Sequence, residues 1–265
     1  MPRALVSIVI AVFMLASCGR EDGNSRQIYS HDVDSVVVDS TIRLVDSEDS
    51  PNCQLHIALR YFPDEQKLND SILATGLILP EYLPEGNRKG GMRQLVDEVA
   101  KNCITSYRQQ YASLFKLDKS NADEYNIIYK VYTKTWSGPD STVCYEAHII
   151  SGNKNHQQLQ TIARNFKLKT GSTVALNEIF VPGYENVLIR LVVDKLKDKF
   201  DVEDEDQLKT QRIFADCDPY LPDNFMLLKN KLIFIYNQDE IAPHDEGEIR
   251  VELSKHELKD LLKQR

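Results

Sequence analysis

Hydrophobic residues recur along this chain in two rhythms, and the changes of rhythm divide most of it into elements. Cys53, Leu55, Ile57, Leu59 and Tyr61 alternate with Gln54, His56 and Arg60, the period of a strand with one face in a core. The same period marks Tyr125 to Trp136 and Val143 to Ile150, two long strands around the turn Ser137-Gly138-Pro139-Asp140. Looser patterns predict strands over Val36 to Val45 and Leu159 to Leu168. In between the period lengthens. Met92, Leu95, Val96, Val99, Cys103, Tyr107, Tyr111 and Leu114 return every three or four residues, a single apolar stripe on a helix from Met92 to Phe115. Asp97, Glu98, Lys101, Arg108 and Gln109 fall on the other side as a solvated face. Leu68 to Leu77 predicts a short helix, and Pro80 to Gly91 a loop.

The later part of the chain is built around Pro219 to Gly247. Two short apolar runs, Phe225 to Leu228 and Leu232 to Tyr236, flank Lys229-Asn230-Lys231 and predict a hairpin. Prolines on both sides bar helix there. Upstream, Tyr184 to Phe200 is an amphipathic helix with Val187, Leu188, Leu191, Val192, Lys195 and Leu196 on its apolar side. Asp201 to Asp206 lacks the central glycine and alternating acids of a calcium loop, so a solvated linker is expected. Ile249 to Leu253 alternates as a strand, and Ser254 with Glu257 forms a capping box that predicts a last helix carrying Leu258, Leu261 and Leu262. The expected architecture is α+β, with antiparallel sheets and packed helices in two small subdomains, residues 36–162 and 163–265.

The first residues add a location. Arg3 precedes the apolar run Ala4 to Ala16, which is too short to span a bilayer. It ends in Leu15-Ala16-Ser17-Cys18, which resembles the lipobox of bacterial lipoproteins. The resemblance implies a signal peptide over 1–17, lipidation of Cys18 and a polar tether over 18–35. Arg20-Glu21-Asp22 resembles a surface-export signal of some Gram-negative bacteria. An outer-membrane lipoprotein facing the periplasm or the outside is expected, touching the membrane through its anchor only.

Charge and chemistry narrow the choices. Forty acids against 32 bases give a net charge of −8, and loss of a leader carrying only Arg3 makes the balance one unit more acidic. That balance argues against nucleic acid and suits a cationic partner. Cys53, Cys103, Cys144 and Cys217 allow three disulfide pairings, and no close Cys-x-x-Cys pair suggests a metal or redox site. Asp239, Glu240, His244, Asp245 and Glu246 place a histidine among four carboxylates. Such a set can bind a divalent cation or act in acid–base catalysis, although consecutive acids in a polar loop also read as a solvated surface. No nucleophile elbow, phosphate loop or zinc-protease helix occurs. The lone tryptophan, Trp136, at a strand end beside a Gly-Pro turn, and Tyr220 are the candidate aromatic contacts.

Three segments carry a resemblance: Asn165-Phe166-Lys167-Leu168-Lys169-Thr170-Gly171 with Leu176 to Phe180, Pro219 to Phe225, and Tyr236 to Gly247. In order and spacing they resemble the paired extracellular domains of unknown function of the lysozyme-receptor anti-sigma factor, a pair also found as a non-catalytic module in peptidoglycan deacetylases. The chain departs from that pattern at Ser151 to Asn155 and at Asp239 to Glu246. The resemblance implies an α+β binding or sensing module without cofactor or catalysis, engaging a lysozyme-like protein or a cell-wall glycan. The alternative is an envelope hydrolase acting on peptidoglycan or polysaccharide through the Asp239–Glu246 loop.

Overall fold

A computed structural model describes residues 33–76 and 91–263 of the chain. The expected signal peptide, Cys18, the expected tether as far as residue 32 and most of the loop from Pro80 lie outside the described residues. Five strands, β1 (Asp34–Arg43), β2 (Asn52–Tyr61), β3 (Ile127–Ser137), β4 (Thr142–Asn153) and β5 (Gln157–Lys167), form one sheet in chain order. Three more, β6 (Phe225–Leu227), β7 (Lys231–Tyr236) and β8 (Ile249–Ser254), form an antiparallel second sheet. The α+β class is as expected, with one correction. β2 and β3 pair in parallel, so the first sheet is mixed. The reason is the connection between them: it carries α1 (Gln66–Leu73) and α2 (Met92–Leu117) back over one face of the sheet, where a hairpin would have reversed the strand.

The layers run α2, first sheet, second sheet, α4 (Tyr184–Phe200). The apolar stripe of α2, including Val96, Val99 and Cys103, lies over β1 and β2 and shares one core with Leu55, Ile57, Val131, Tyr145 and Ala147. Each fully buried aliphatic side chain there, such as Ile57 or Val99, contributes about 2 kcal/mol. On the far side, Leu188, Val192 and Leu196 of α4 pack on Phe234, Val251 and Leu253. Between the sheets, Met226, Ile233 and Ile235 cover Cys144 and Ala163. The β3–β4 hairpin closes through Asp140 and Ser141, both at positive φ as a type I′ turn requires. Gly138 precedes that turn without a side chain because a Cβ would stand 2.9 Å from the Leu227 carbonyl oxygen.

Side-chain amides join the two sheets. Asn165 is buried on β5, and its Nδ2 donates to the Phe225 carbonyl at 2.8 Å while its Oδ1 accepts from the Leu227 N–H at 2.8 Å. Asn224 answers in the other direction: its Oδ1 accepts from Ala163 N–H at 2.7 Å and its Nδ2 donates to the Thr161 carbonyl at 2.8 Å. Asn237 Oδ1 accepts from Thr161 N–H at 2.7 Å. The outer edge of β5 is therefore satisfied by asparagine side chains in place of a sixth strand. The junction expected between residues 162 and 163 falls inside β5, which runs unbroken to Lys167.

Two further corrections concern the second unit, which also holds α3 (Leu176–Ile179) and α5 (Glu205–Thr210). Asp204 accepts from the Gln207 N–H at 2.9 Å and caps α5, so the acidic run begins a helix where a linker was expected. The last helix is absent: residues 255–261 are successive turns. Ser254 and Glu257 do exchange the predicted bonds. The helix stops because Leu262 bridges Phe180 and Val181 N–H bonds to the Leu261 carbonyl, which draws the segment into extended pairing.

Candidate functional site

The face of the first sheet turned away from α2 is only partly covered. Strand alternation puts Val37, His56, Tyr132, Lys134, Trp136, Glu146, His148 and Leu159 on it, and the cross-strand partners agree. The second sheet covers its β4–β5 corner. Over the remainder, Val37, Tyr132, Trp136 and Leu159 are 39–56% exposed, four of the six large hydrophobics left exposed among the described residues. The His56 and Tyr132 rings lie 4.7 Å apart and tilted, with Asp39 Oδ2 3.4 Å from His56 Nδ1.

Beneath this face lies a buried charge that the sequence pattern did not reveal. Glu146, 2% exposed, takes Trp136 Nε1–H at 2.8 Å and Arg250 Nη2–H at 2.8 Å. His148 Nε2 stands 3.3 Å from the same carboxylate, and its Nδ1 is 3.1 Å from the Thr161 hydroxyl. Burial pushes the Glu146 carboxyl up, but the bonds from His148, Arg250 and Trp136 outweigh it and hold the group at about 2. Glu146 is thus a charged anchor that fixes the indole plane and ties β4 to β8. Within Val143 to Ile150 it reads as an outward residue, and what buries it comes from a strand about a hundred residues later. Its one local signal is the Glu146-x-His148 spacing, which aims both side chains to the same face.

The Asp239–Glu246 loop is arranged differently. His244 Nδ1 pairs with Asp239 Oδ2 at 2.9 Å, and both side chains are well exposed. That bond raises the histidine above its usual range. Glu240 is a brace: it accepts from the Tyr220 hydroxyl at 2.6 Å and from Asn237 N–H at 2.7 Å. Tyr220 in turn takes the Tyr236 hydroxyl on its carbonyl at 2.6 Å. Asp245 and Glu246 are exposed on a single 3-10 turn, His244–Glu246. The fold therefore brings Tyr220, Glu240, Asp239 and His244 into one loop system, and leaves Trp136 on the other sheet. No group of three metal-ligating side chains is clustered among the described residues.

All four described cysteines are thiols, with Cys217 exposed and the others buried. The Cys53 thiol is raised by its hydrogen bond to Cys103 and by burial, so β2 and α2 bring these two together. Cys144 lies between the sheets. No helix of the described residues is long and apolar enough to cross a membrane.

Residues 177–256 match the model of a family described as protein of unknown function, DUF3298. The fold is similar to that of a crystallised DUF3298 family member from Bacteroides fragilis, with a TM-score of 0.78 at 20% identity over 89% of this chain and 94% of that one. A DUF3298 family protein from Pseudomonas aeruginosa is similar at a TM-score of 0.57 and 15% identity, over 88% of this chain and 94% of that one. No curated protein matches the chain.

Proposed function

We propose that this is a binding protein of the bacterial envelope, held to the outer membrane by acyl chains on Cys18, which takes a cell-wall glycan on the open face of its first sheet. The observation that carries the proposal is the exposed Trp136, pinned edge-on by Glu146, with Tyr132 on the same face. The two residues are four apart on β3, roughly 13 Å at the strand rise. Flat aromatic rings held at fixed spacing suit stacking against successive sugars, because little side-chain entropy is lost on contact. His56, Asp39 and Lys134 supply polar partners around them.

Because Trp136 is the only tryptophan, its fluorescence reports directly on this face. Soluble peptidoglycan fragments are expected to shift and saturate that emission. Tyr132→Ala, which keeps the reporter, is expected to weaken the affinity by about tenfold, the equivalent of roughly 1.4 kcal/mol. An emission unchanged at millimolar glycan removes the proposal.

A second reading follows from the net charge of −8, which favours a cationic, lysozyme-like protein. Calorimetry at low salt separates the two: heat with lysozyme and none with glycan assigns the face to protein. The hydrolase alternative rests on His244, whose exposure and pairing with Asp239 leave it solvated. Reducing-end release that persists in wild type and vanishes in His244→Ala would support it.

A further inference from the structure

A cavity of about 290 Å³ opens where the β3–β4 turn meets the end of the second sheet. Its floor is apolar: Phe180, Leu232 and Leu258 are buried, and Leu228 and Leu262 half-buried. Among the described residues its rim carries four lysines, Lys229, Lys231, Lys255 and Lys263, and one acid, Asp140. These lysines come from separate parts of the chain. Two flank the β6–β7 turn, one follows β8, and one lies beyond the C-terminal turns. Lys231 is engaged by Glu252 at 2.7 Å, and Lys263 Nζ donates to the Asn177 carbonyl at 2.7 Å. Lys229 and Lys255 are exposed and have no ion-pair partner among the described residues. Two spare cations over an apolar floor, on a chain of net charge −8, form a site with a definite preference.

We propose that this cavity binds a long-chain fatty acid, with the alkyl chain on the leucine and phenylalanine floor and the carboxylate on Lys229 and Lys255. The apolar lining gives the chain a place out of water, at about 25 cal/mol per Å² removed. The lysine ammonium groups give the head charge-assisted hydrogen bonds. A free inorganic anion makes no use of the floor. A two-chain phospholipid is too large for a volume at the lower end of the roughly 300–1,000 Å³ typical of small-molecule sites. The site is independent of the glycan face, and neither proposal depends on the other.

The test titrates cis-parinaric acid, a fluorescent fatty acid, into the full chain. Saturable enhancement is expected, reversed by dodecanoate, with dodecanol at least about tenfold less effective and with affinity falling as salt rises. The double variant K229E/K255E is expected to weaken binding at least about tenfold at an unchanged unfolding midpoint, since both residues are on the surface. Leu262→Trp, which fills the floor from a half-buried position, is expected to weaken it also. Absence of saturable enhancement overturns the proposal. So does dodecanol competing as well as dodecanoate with K229E/K255E binding as wild type, or acetate displacing the probe as well as dodecanoate.

Discussion

Replacing Asn165 by leucine is expected to destabilise the protein by about 4 kcal/mol, the largest effect of any single change away from the apolar cores. The side chain is 2% exposed and serves two backbone groups of β6, the Phe225 carbonyl and the Leu227 N–H. Leucine has the same branching and the same number of side-chain heavy atoms but serves neither. Each buried group left without a partner costs roughly 1–3 kcal/mol. The measurement is urea unfolding followed by circular dichroism, where the midpoint should fall with the slope unchanged if the sheets still unfold together. A second, smaller transition would mean that this amide is what makes the two units cooperative. A midpoint within experimental error of wild type would remove the role assigned to Asn165.

Glu146→Gln is expected to cost about 3 kcal/mol at pH 7 and little at pH 2. The carboxyl is held at about 2 in the folded chain, against an ordinary glutamate value near 4.3 in the unfolded one. A depressed folded value contributes stability that is complete above the unfolded value and is lost as pH falls through the folded one. Wild type should therefore lose this increment between about pH 5 and pH 2, while the glutamine variant follows a flatter profile over the same window. Arg250 is about a third exposed, so removing its partner costs less than isolating a fully buried cation. Parallel pH profiles for the two proteins would show that the cluster contributes nothing. The same variant weakens the hold on Trp136, whose indole N–H points at this carboxylate.

The strongly periodic elements were legible because one face of each meets a core built by its neighbours. That holds for β2, α2 and α4, whose observed limits lie within about two residues of the sequence pattern. The exposure of Trp136 was legible from its place at a strand end beside the Gly-Pro turn, and alternation along β3 turns it away from α2. What escaped depends on long-range partners. The parallel pairing of β2 with β3 is decided by a helical crossover, and the burial of Glu146 by β8. The turns after Ser254 carry every local signal of a helix, and Phe180 overrides them. Asn165, Asn224 and Asn237 fall within or beside the segments that carried the family resemblance. Their work as amide braces between sheets becomes visible only once both sheets are placed.

The parallel pairing of β2 with β3 also sets an order of events during folding. β3, β4 and β5 meet through short connections, whereas Asn52 reaches Asn126 across 74 residues. Closing so long a loop costs chain entropy before any contact repays it. Pulse-labelled hydrogen exchange is therefore expected to find the β3–β5 meander protected first, and β1–β2, on which α2 mainly lies, arriving later together with α2. Until that moment Val131 and Tyr129 have no cover, so the nascent protein passes through a stage in which its central strand is an open edge.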